Sequence, residues 1–387
     1  MATPPIYPGT TADPDPSTAR DRAWLEVDEE ALRYNAAALH ARARVPLLPM
    51  VKANAYGLGA VATCRTLGVA FRDQPQAADQ SPWGVGVATL DEAAQLRDAG
   101  CEGRILCSTP LRPEELARAA SVGVRPALHR AEDIAFWSTM GGPGWHLAID
   151  TGMARAGVRW TDVASLRDAV AAHPPEGVFT HFHSADESVA SMDDQDGRFQ
   201  AALSQLADVL PAGVIEHRDN SGAIASREAG SPGQLARPGI ALYAGMFAEA
   251  LGLRQVAHLR ARIVDIRHVE AGESVSYGAT WRASGLCRVA TLAIGYADGY
   301  RRHLSNAGVV LIHGVRCPVV GRVTMDMTMV DVSHLPCAVG DVATVIGADG
   351  SDVLTTEWVA DRGGVSPYEL LVGLTMRVPM LRRPAIT

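Results

Sequence analysis

The chain has 387 residues, of which 47% are hydrophobic and 20% are charged, and its formal net charge is −8. This length suffices for about two domains, or for one barrel with an appended unit, and the apolar content excludes a disordered polymer. The acidic balance argues against a nucleic-acid-binding surface, and no apolar run approaches the roughly 18 residues of a membrane span.

The first 22 residues contain five prolines and several acidic residues, and they lack the apolar segment of a signal peptide. We therefore expect residues 1–22 to form a disordered tail and the protein to be cytoplasmic. The six cysteines show no C-x-x-C pair, and a disulfide framework is not expected in a chain of this size.

Eight short apolar runs alternate with helical stretches between residues 23 and 252. This alternation predicts parallel β/α units, and eight is the number of strands that closes a TIM-type (β/α)8 barrel. The predicted strands are 47–51, 83–88, 104–107, 124–128, 145–149, 177–182, 214–217 and 234–242.

The sequence pattern changes in the C-terminal part, residues 253–387, where Val-rich segments are joined by Gly-containing turns without intervening helices. Such spacing predicts a mostly-β domain, and the fold class is therefore an α/β barrel followed by a β domain. The predicted strands are 261–269, 288–294, 309–313, 319–323, 328–332 and 341–346.

Lysine usage singles out one position. Of the 35 basic residues, 34 are arginines and only Lys52 is a lysine. Arginine replaces lysine readily on a solvated surface, but it stays protonated and cannot attack a carbonyl group as a free amine. Lys52 follows the first predicted barrel strand, where the catalytic residues of such barrels lie. The local pattern alone leaves a surface lysine before a loop about equally acceptable.

The segment around Lys52 resembles the pyridoxal-phosphate lysine motif of bacterial alanine racemases. Further blocks similar to that family follow in order over nearly the whole chain, and an ordered series is far more specific than any single block. The similar blocks are Val-Lys-Ala-Asn-Ala-Tyr-Gly (51–57), Asp-Thr-Gly-Met-Ala-Arg-Ala-Gly (150–157), Thr-His-Phe-His-Ser-Ala-Asp (180–186), Asp-Asn-Ser (219–221), Arg-Pro-Gly-Ile-Ala-Leu-Tyr (237–243), Ser-Val-Ser-Tyr-Gly-Ala-Thr (274–280), Ile-Gly-Tyr-Ala-Asp-Gly-Tyr (294–300), Gly-Arg-Val-Thr-Met-Asp (321–326) and Pro-Tyr-Glu (367–369).

The resemblance implies interconversion of L-alanine and D-alanine by proton transfer between two bases and the substrate α-carbon, with D-alanine supplied for the cell wall. Lys52 would hold pyridoxal phosphate covalently and act as one base, and Tyr277 would be the base on the opposite face. His181 and Arg237 would form a hydrogen-bonded line from this tyrosine to the pyridine nitrogen. Locally, Tyr277 also suits an ordinary β-domain tyrosine, and Arg237 a surface or phosphate-side arginine.

The resemblance also implies contacts to the cofactor phosphate and to the substrate. The residues concerned are Tyr56, Ser221, Tyr368 and the backbone N–H groups of Gly239 and Ile240 for the phosphate, and Arg155 and Met325 for the amino-acid substrate. By the same resemblance the protein is a homodimer in which Tyr277 and Met325 complete the active site of the partner subunit.

One position departs from the family pattern. Many members carry a carbamylated lysine two residues before the Asp150 block, where this chain has Ala148. We therefore expect no carbamate, and an anion, water or acidic neighbour beside Arg155 instead.

Other functions remain open on the sequence. A racemase for serine or for many amino acids has the same motifs, whereas a non-catalytic pyridoxal-phosphate carrier would end near residue 250 and lack Tyr277. The pair His181 and His183 could suggest a metal-dependent barrel hydrolase, but the further ligands are missing, and we expect no metal.

Overall fold

The computed structural model describes residues 20–74, 82–228 and 230–384. Residues 1–19, which make up most of the predicted tail, lie outside the described residues. Within the described residues, no helix has the length and apolar character needed to cross a membrane.

The strands divide into a parallel set in the first two thirds of the chain and a largely antiparallel set after it. They are β1 (Ala23–Asp28), β2 (Val85–Val87), β3 (Ile105–Cys107), β4 (Arg125–Leu128), β5 (His146–Asp150), β6 (Val158–Arg159), β7 (Gly177–Phe179), β8 (Ile215–His217), β9 (Ala257–Val269), β10 (Ser274–Val275), β11 (Trp281–Arg282), β12 (Cys287–Leu292), β13 (Val309–Ile312), β14 (Val315–Pro318), β15 (Thr328–Asp331), β16 (Val342–Asp349), β17 (Asp352–Leu354) and β18 (Met380–Arg383).

The helices lie mostly between the parallel strands. They are α1 (Glu29–Ala43), α2 (Lys52–Tyr56), α3 (Ala60–Thr66), α4 (Leu90–Asp98), α5 (Pro113–Val122), α6 (Ala131–Ser138), α7 (Arg167–Ala172), α8 (Val189–Leu206), α9 (Ser221–Ser226), α10 (Ala248–Leu251), α11 (Thr356–Arg362) and α12 (Pro367–Val372).

Local sequence explains where a barrel helix begins and ends. Helix α5 has Pro113 in its first turn, where the missing N–H group removes no intrahelical bond. It ends at Gly123, whose φ of 69° is the left-handed conformation that closes helices without a Cβ penalty. Both signals lie in the local sequence of the helix and its flanks.

The parallel strands close into a barrel of eight strand positions. Strands β2, β3, β4, β5, β7 and β8 pair in that order. Two extended segments complete the ring: Met50 bridges to Gly86 in β2, and Leu47 bridges to Ala236. The N–H group of Gln234 joins the last segment to Glu216 of β8 at 2.8 Å. The predicted barrel fold and all eight predicted strand positions are confirmed, although residues 240–243 form a 3₁₀ turn instead of strand.

The second sheet belongs to the mostly-β part and includes the first described strand. Its strand order is β14-β13-β16-β9-β1-β18, with β12 and β15 continuing from β9. Strand β1 is antiparallel to β9 and parallel to β18. The chain therefore starts in the β sheet, runs through the barrel and returns, so residues 23–28 lie in the second sheet although they fall within the range predicted for the barrel.

One predicted strand of the C-terminal part was wrong. Residues 319–323 were expected to be a strand, but β14 lies before them and pairs with β13 as a hairpin. His313 and Gly314, with φ of 51° and 75°, form the two-residue turn, and turns with two positive φ values match the twist of a hairpin. The residues after β14 form a loop that carries Met325.

Candidate active site

A cavity of about 170 Å³ opens at the carboxyl ends of the barrel strands. This is the end of a β/α barrel where functional side chains gather, because each strand delivers its following loop there. The lining consists of Met50, Lys52, Tyr56, Ser108, Arg155, Phe179, His181, Asp186, Asn220, Ser221, Gly222, Arg237, Gly239, Ile240, Phe247 and Tyr368.

Nine of the eleven predicted site residues lie in this lining. They are Lys52, Tyr56, Arg155, His181, Ser221, Arg237, Gly239, Ile240 and Tyr368. The other two, Tyr277 and Met325, are 72% and 52% exposed. Neither belongs to the described lining of the cavity in its own chain.

Lys52 is followed by a left-handed turn. Ala53, Asn54 and Ala55 have φ of 50°, 54° and 55° and ψ near 50°, and Tyr56 continues with φ of 55°. For residues with a Cβ this conformation costs roughly 1–2 kcal/mol each. The turn is closed by two backbone bonds, from Ala55 to Val51 and from Gly57 to Ala53. Surrounding contacts must therefore hold this segment in place.

The Lys52 amine has an environment that favours its neutral form. Burial in the cavity lowers its pKa, the positive charge of Arg155 lowers it further, and the carboxylate of Glu92 opposes both. A neutral amine is the form that attacks a carbonyl group. Since the chain has only this lysine, it is the one side chain able to bind a carbonyl compound as an imine.

Arg237 is buried at the floor of the cavity and is held by backbone oxygens. Nη1 donates to the His217 carbonyl at 2.6 Å, and Nη2 donates to the Thr180 and Arg218 carbonyls at 2.7 and 3.2 Å. Burial lowers the pKa of Arg237 to about 10, and the charge of Asp219 opposes that decrease. The guanidinium is thus still protonated near pH 7, and it can only donate hydrogen bonds.

His181 lies beside Arg237, as the predicted line requires, with Nδ1 at 3.5 Å from Nη2 of the guanidinium. Burial lowers the pKa of His181 to about 3, helped by the positive charges of Arg237, Arg155 and Lys52. The imidazole is therefore neutral at physiological pH. The neighbouring His183 is exposed and instead contacts the Ser184 hydroxyl at 2.8 Å.

Two further histidines, which the sequence analysis did not single out, continue this line inside the barrel. His217 Nδ1 lies 2.9 Å from Arg237 Nη1, and His217 Nε2 lies 2.7 Å from His146 Nδ1. His146 Nε2 in turn lies 3.8 Å from the carboxylate of Glu176, which also binds Arg125 at 2.5 Å. Both histidines sit on barrel strands in fully buried positions. The sequence places both residues in predicted strands, where alternate side chains point into the barrel. That the two rings contact each other can be seen only in the folded structure.

Hydroxyl groups and backbone N–H groups converge at the opposite wall. Ser221 Oγ accepts hydrogen bonds from Gly239 N at 2.9 Å and Ala241 N at 3.3 Å. A Cβ at Gly239 would overlap the Tyr56 hydroxyl, so a glycine keeps this corner open. Burial raises the pKa values of Tyr56 and Tyr368, which keeps both phenols protonated as donors. Such a set of neutral donors suits an anion.

The position that departs from the family pattern is apolar. Ala148 packs in a small cluster with Ala127 and Phe179. Phe179 also lines the cavity and stacks on His217, with ring centroids 4.9 Å apart. The surroundings of residue 148 are therefore apolar.

Tyr277 and Met325 lie on neighbouring loops of the β domain. The Ser276 hydroxyl donates to the Arg322 carbonyl at 2.7 Å and joins the two loops. The Met325 carbonyl accepts from Ala297 N at 3.0 Å, which fixes the second loop against the segment after β12. Exposed apolar side chains on this face are typical of a surface that binds another protein.

The described residues contain no group of three His, Cys, Asp or Glu side chains placed to hold a metal ion.

Comparison with known proteins places these features in a family. The model of the alanine racemase N-terminal domain matches residues 27–246, and that of the C-terminal domain matches residues 256–382. The chain belongs to the alanine racemase family. The resemblance stated from the sequence blocks is therefore confirmed.

Individual relatives and solved structures agree with this membership. An alanine racemase of Deinococcus radiodurans is 39% identical over 363 residues, which are 92% of this chain and 98% of the relative. The solved alanine racemase of Streptomyces coelicolor A3(2) has a TM-score of 0.85 and 29% identity, covering 95% of this chain and 99% of that one. A Bartonella henselae alanine racemase with covalently bound pyridoxal phosphate has a TM-score of 0.81 and 26% identity, covering 94% and 99%.

The family uses pyridoxal phosphate, and the cavity suits that group. It holds one lysine with a lowered pKa for covalent attachment, protonated phenols and a serine hydroxyl for a phosphate, and a cationic donor in Arg237 for a ring nitrogen. The glycine at 239 leaves the space beside Tyr56 that a larger residue would fill.

Proposed function

We propose that this protein is an alanine racemase in which Lys52 carries pyridoxal phosphate and a homodimer supplies the second base to each active site. Bound pyridoxal phosphate supplies a carbonyl group for the substrate amine and an electron-withdrawing ring that acidifies the α-proton. The observation that carries the proposal is the placement of the only lysine in the same cavity as the buried Arg237.

Lys52 is proposed to act twice. It would hold the cofactor covalently in the resting enzyme, and as a free amine it would serve as a base that takes or returns the α-proton. Burial and Arg155 lower its pKa, which favours the neutral form that a base requires. A base works best when its pKa lies near the working pH, and the environment moves Lys52 in that direction.

Arg237 is proposed to face the pyridine nitrogen. Three backbone carbonyls hold its guanidinium, and it cannot release a proton to the ring. A ring nitrogen that stays unprotonated withdraws electrons less strongly than a protonated one. With the cofactor bound, Arg237 would therefore favour racemisation over transamination.

The donors on the opposite wall are proposed to bind the phosphate. Tyr56, Ser221 and Tyr368 would be the side-chain donors, and Gly239 and Ile240, which also line the cavity, would add their backbone N–H groups. The Gly239 N–H group, which donates to Ser221 Oγ in this structure, would then also bond to the phosphate. No lysine is needed there, because neutral hydrogen bonds can stabilise the dianion at this wall.

Tyr277 of the partner subunit is proposed as the second base. Proton exchange on both faces of a planar carbon needs a base on each face, and Lys52 would serve one face only. The exposure of Tyr277 and Met325 on linked loops supports their insertion into the site of another copy. His181, neutral and next to Arg237, is placed to bond to the incoming tyrosine.

Arg155 is proposed to bind the substrate carboxylate. It lines the cavity after β5, on the same side as Lys52, whose pKa its charge lowers. A guanidinium recognises a carboxylate through two parallel hydrogen bonds.

We also propose a cytoplasmic location. All six cysteines lie among the described residues and none forms a disulfide, as is usual for proteins of a reducing compartment.

Chemical labelling tests the proposal directly. Borohydride reduction of the purified protein with pyridoxal phosphate should fix the cofactor to Lys52, and peptide mapping should find it there. A panel of L- and D-amino acids, followed by chiral chromatography, should show alanine as the preferred substrate. A protein that binds no pyridoxal phosphate, or that racemises serine faster than alanine, would refute the respective part of the proposal.

A further inference from the structure

Glu92 occupies the third position of helix α4 and forms more bonds than a helix cap requires. Its Oε2 accepts from Thr89 N at 3.1 Å and from Ala88 N at 2.8 Å, while Glu92 N donates to the Thr89 hydroxyl at 3.2 Å. These bonds form an ordinary capping box. They use one carboxylate oxygen and leave Oε1 available.

The second oxygen reaches a different part of the barrel. Oε1 accepts from Ala53 N at 2.7 Å, across a separation of 39 residues in the chain. Ala53 is the residue directly after Lys52 and the first of the left-handed turn. The carboxylate therefore ties the beginning of this turn to the end of β2 and the start of α4.

The bond acts on the peptide that joins Lys52 to Ala53. The orientation of this peptide sets the direction of the Cα–Cβ bond of Lys52, and the left-handed conformation that follows is unfavourable for the alanines and asparagine found there. The turn's own bonds begin with Ala55 N and leave Ala53 N to Glu92. A charge-assisted hydrogen bond is stronger than a neutral one, and it is placed where the segment needs support.

We infer that Glu92 is a positioning residue for Lys52: its carboxylate holds the left-handed turn and so fixes the direction in which the cofactor-binding lysine enters the cavity. This inference rests on the proposed role of Lys52. Because Glu92 does not line the cavity, it acts through Lys52 and not on the substrate: it holds the backbone of residues 52–53, and its charge opposes the lowering of the Lys52 pKa. Glu92→Asp, which keeps the charge, separates the two effects.

Replacement by glutamine distinguishes this role from helix capping. A carboxylate accepts from all three N–H groups, whereas a glutamine side chain has one oxygen and an NH₂ group that only donates. The oxygen is expected to stay with the two N–H groups of the helix cap, which turns the NH₂ group toward Ala53 N. Glu92→Gln should therefore keep the cap and lose the bond to the turn.

The matched control is Thr89→Ala. It removes the other half of the same capping box but leaves Oε1 of Glu92 on Ala53 N. Both variants should lower the melting temperature, Thr89→Ala because it weakens the start of α4 and Glu92→Gln because it loses the bond to the left-handed turn. Only Glu92→Gln should disturb the bound cofactor.

The experiment compares both variants with the parent as holoenzymes. We expect Glu92→Gln to release pyridoxal phosphate about tenfold faster on dialysis, as loss of a charge-assisted hydrogen bond implies, and to lose visible circular dichroism per bound cofactor. kcat for alanine should fall with little change in KM. Thr89→Ala should match the parent in the rate of cofactor release, in the visible circular dichroism per bound cofactor and in kcat. If Glu92→Gln instead behaves like Thr89→Ala, Glu92 is a helix cap only and the inference is wrong.

A second variant, Glu92→Asp, tests the inference if Glu92→Gln does not fold. Glu92→Asp keeps the charge and suits a helix N-terminus, but it is one methylene shorter and cannot span to Ala53 N as well. It should show the same loss of cofactor dichroism, and parental values would overturn the inference. Since dichroism and release are read without turnover, a parent that binds the cofactor but does not racemise alanine would refute the proposed function alone.

Discussion

Nη1 of Arg237 lies 2.9 Å from Nδ1 of His217, and this contact fixes the proton positions of a buried chain. Because a guanidinium only donates, Nδ1 of His217 must accept, and the neutral ring carries its proton on Nε2. That proton is then donated to Nδ1 of His146 at 2.7 Å, which leaves the His146 proton on Nε2, facing Glu176. The chain runs from the proposed nitrogen-binding arginine to a carboxylate at the other end of the barrel.

Arg237→Glu should raise transamination relative to racemisation. A carboxylic acid facing the pyridine nitrogen would favour its protonation, the ring would withdraw electrons more strongly, and a proton would be delivered to the cofactor more often. Pyruvate and pyridoxamine phosphate should accumulate during incubation with alanine, and both can be measured by chromatography.

The control for this variant is Arg237→Lys, which keeps a cationic donor among the three carbonyls. The glutamate variant should also melt at a lower temperature, because those carbonyl oxygens repel a carboxylate. An unchanged ratio of pyruvate to racemised alanine in a folded Arg237→Glu protein would show that Arg237 does not face the nitrogen.

Variants of the two proposed bases should complement each other in mixed dimers. Lys52→Ala and Tyr277→Phe homodimers should each lose roughly 10²–10⁴-fold in racemisation, as expected for a positioned acid–base group. In a heterodimer one site receives both intact bases and the other receives neither. An equal, fully exchanged mixture should therefore recover about a quarter of the parental activity per chain.

Subunit exchange must be shown independently, for example with differently tagged chains and co-purification. In deuterated solvent, one of the two variants should still exchange the α-proton of one alanine enantiomer only, since one base remains. Absence of recovery in proven heterodimers would place both bases in the same chain.

The barrel could be predicted because its signals are local. Apolar runs, capping residues and the Pro and Gly at helix ends all act within a few residues, and the eight predicted strand positions are the eight observed. The pairing of β1 with β18 could not be found in this way, since the two strands lie about 350 residues apart. Parallel pairing at such separation depends on the whole fold.

The site residues that carry a local or family signal were predicted, whereas contacts that form only on folding were not. Lys52 is marked by composition, and the other residues by resemblance to family blocks. The left-handed turn was missed because Ala53, Asn54, Ala55 and Tyr56 have no glycine among them, so nothing local favours positive φ. The contact of Glu92 with the turn has no local sequence signal, since only the folded chain brings its second oxygen to Ala53.

Activity should not depend on bicarbonate. Carbamylation needs a lysine amine, and residue 148 is an alanine packed against Ala127 and Phe179. Initial rates measured in carbon-dioxide-free buffer and with added bicarbonate should agree at constant ionic strength. Chloride, tested in the same way against a larger anion, should affect KM for alanine if an anion binds beside Arg155. A strong dependence on bicarbonate would contradict our interpretation of this position.

The buried histidines should make stability depend on pH. Burial lowers the pKa values of His146, His217 and His181, the last to about 3, whereas histidines in the unfolded chain titrate near ~6.5. Below that pH the unfolded state binds more protons than the folded state, so the free energy of unfolding falls as the pH falls. Each such histidine contributes up to ~1.4 kcal/mol per pH unit in this range.

His146→Gln isolates one of these groups, because an amide can accept from His217 and donate toward Glu176 without titrating. Burial raises the pKa of Glu176, but the neighbouring His146 ring and the hydrogen bond from Arg125 outweigh burial and lower the pKa to about 2. The contribution of Glu176 to the free energy of unfolding is therefore complete above its unfolded-state pKa near 4.5 and is lost only below that pH. Between pH 6.5 and 4.5 the histidines therefore dominate the pH dependence of stability. Urea unfolding at fixed protein concentration should show a slope with pH that is smaller in His146→Gln, by up to about 1.4 kcal/mol per unit, than in the exposed control His268→Gln. Equal slopes in the two variants would mean that His146 is protonated in the folded protein, and the proton positions deduced from the Arg237–His217 contact would then be wrong.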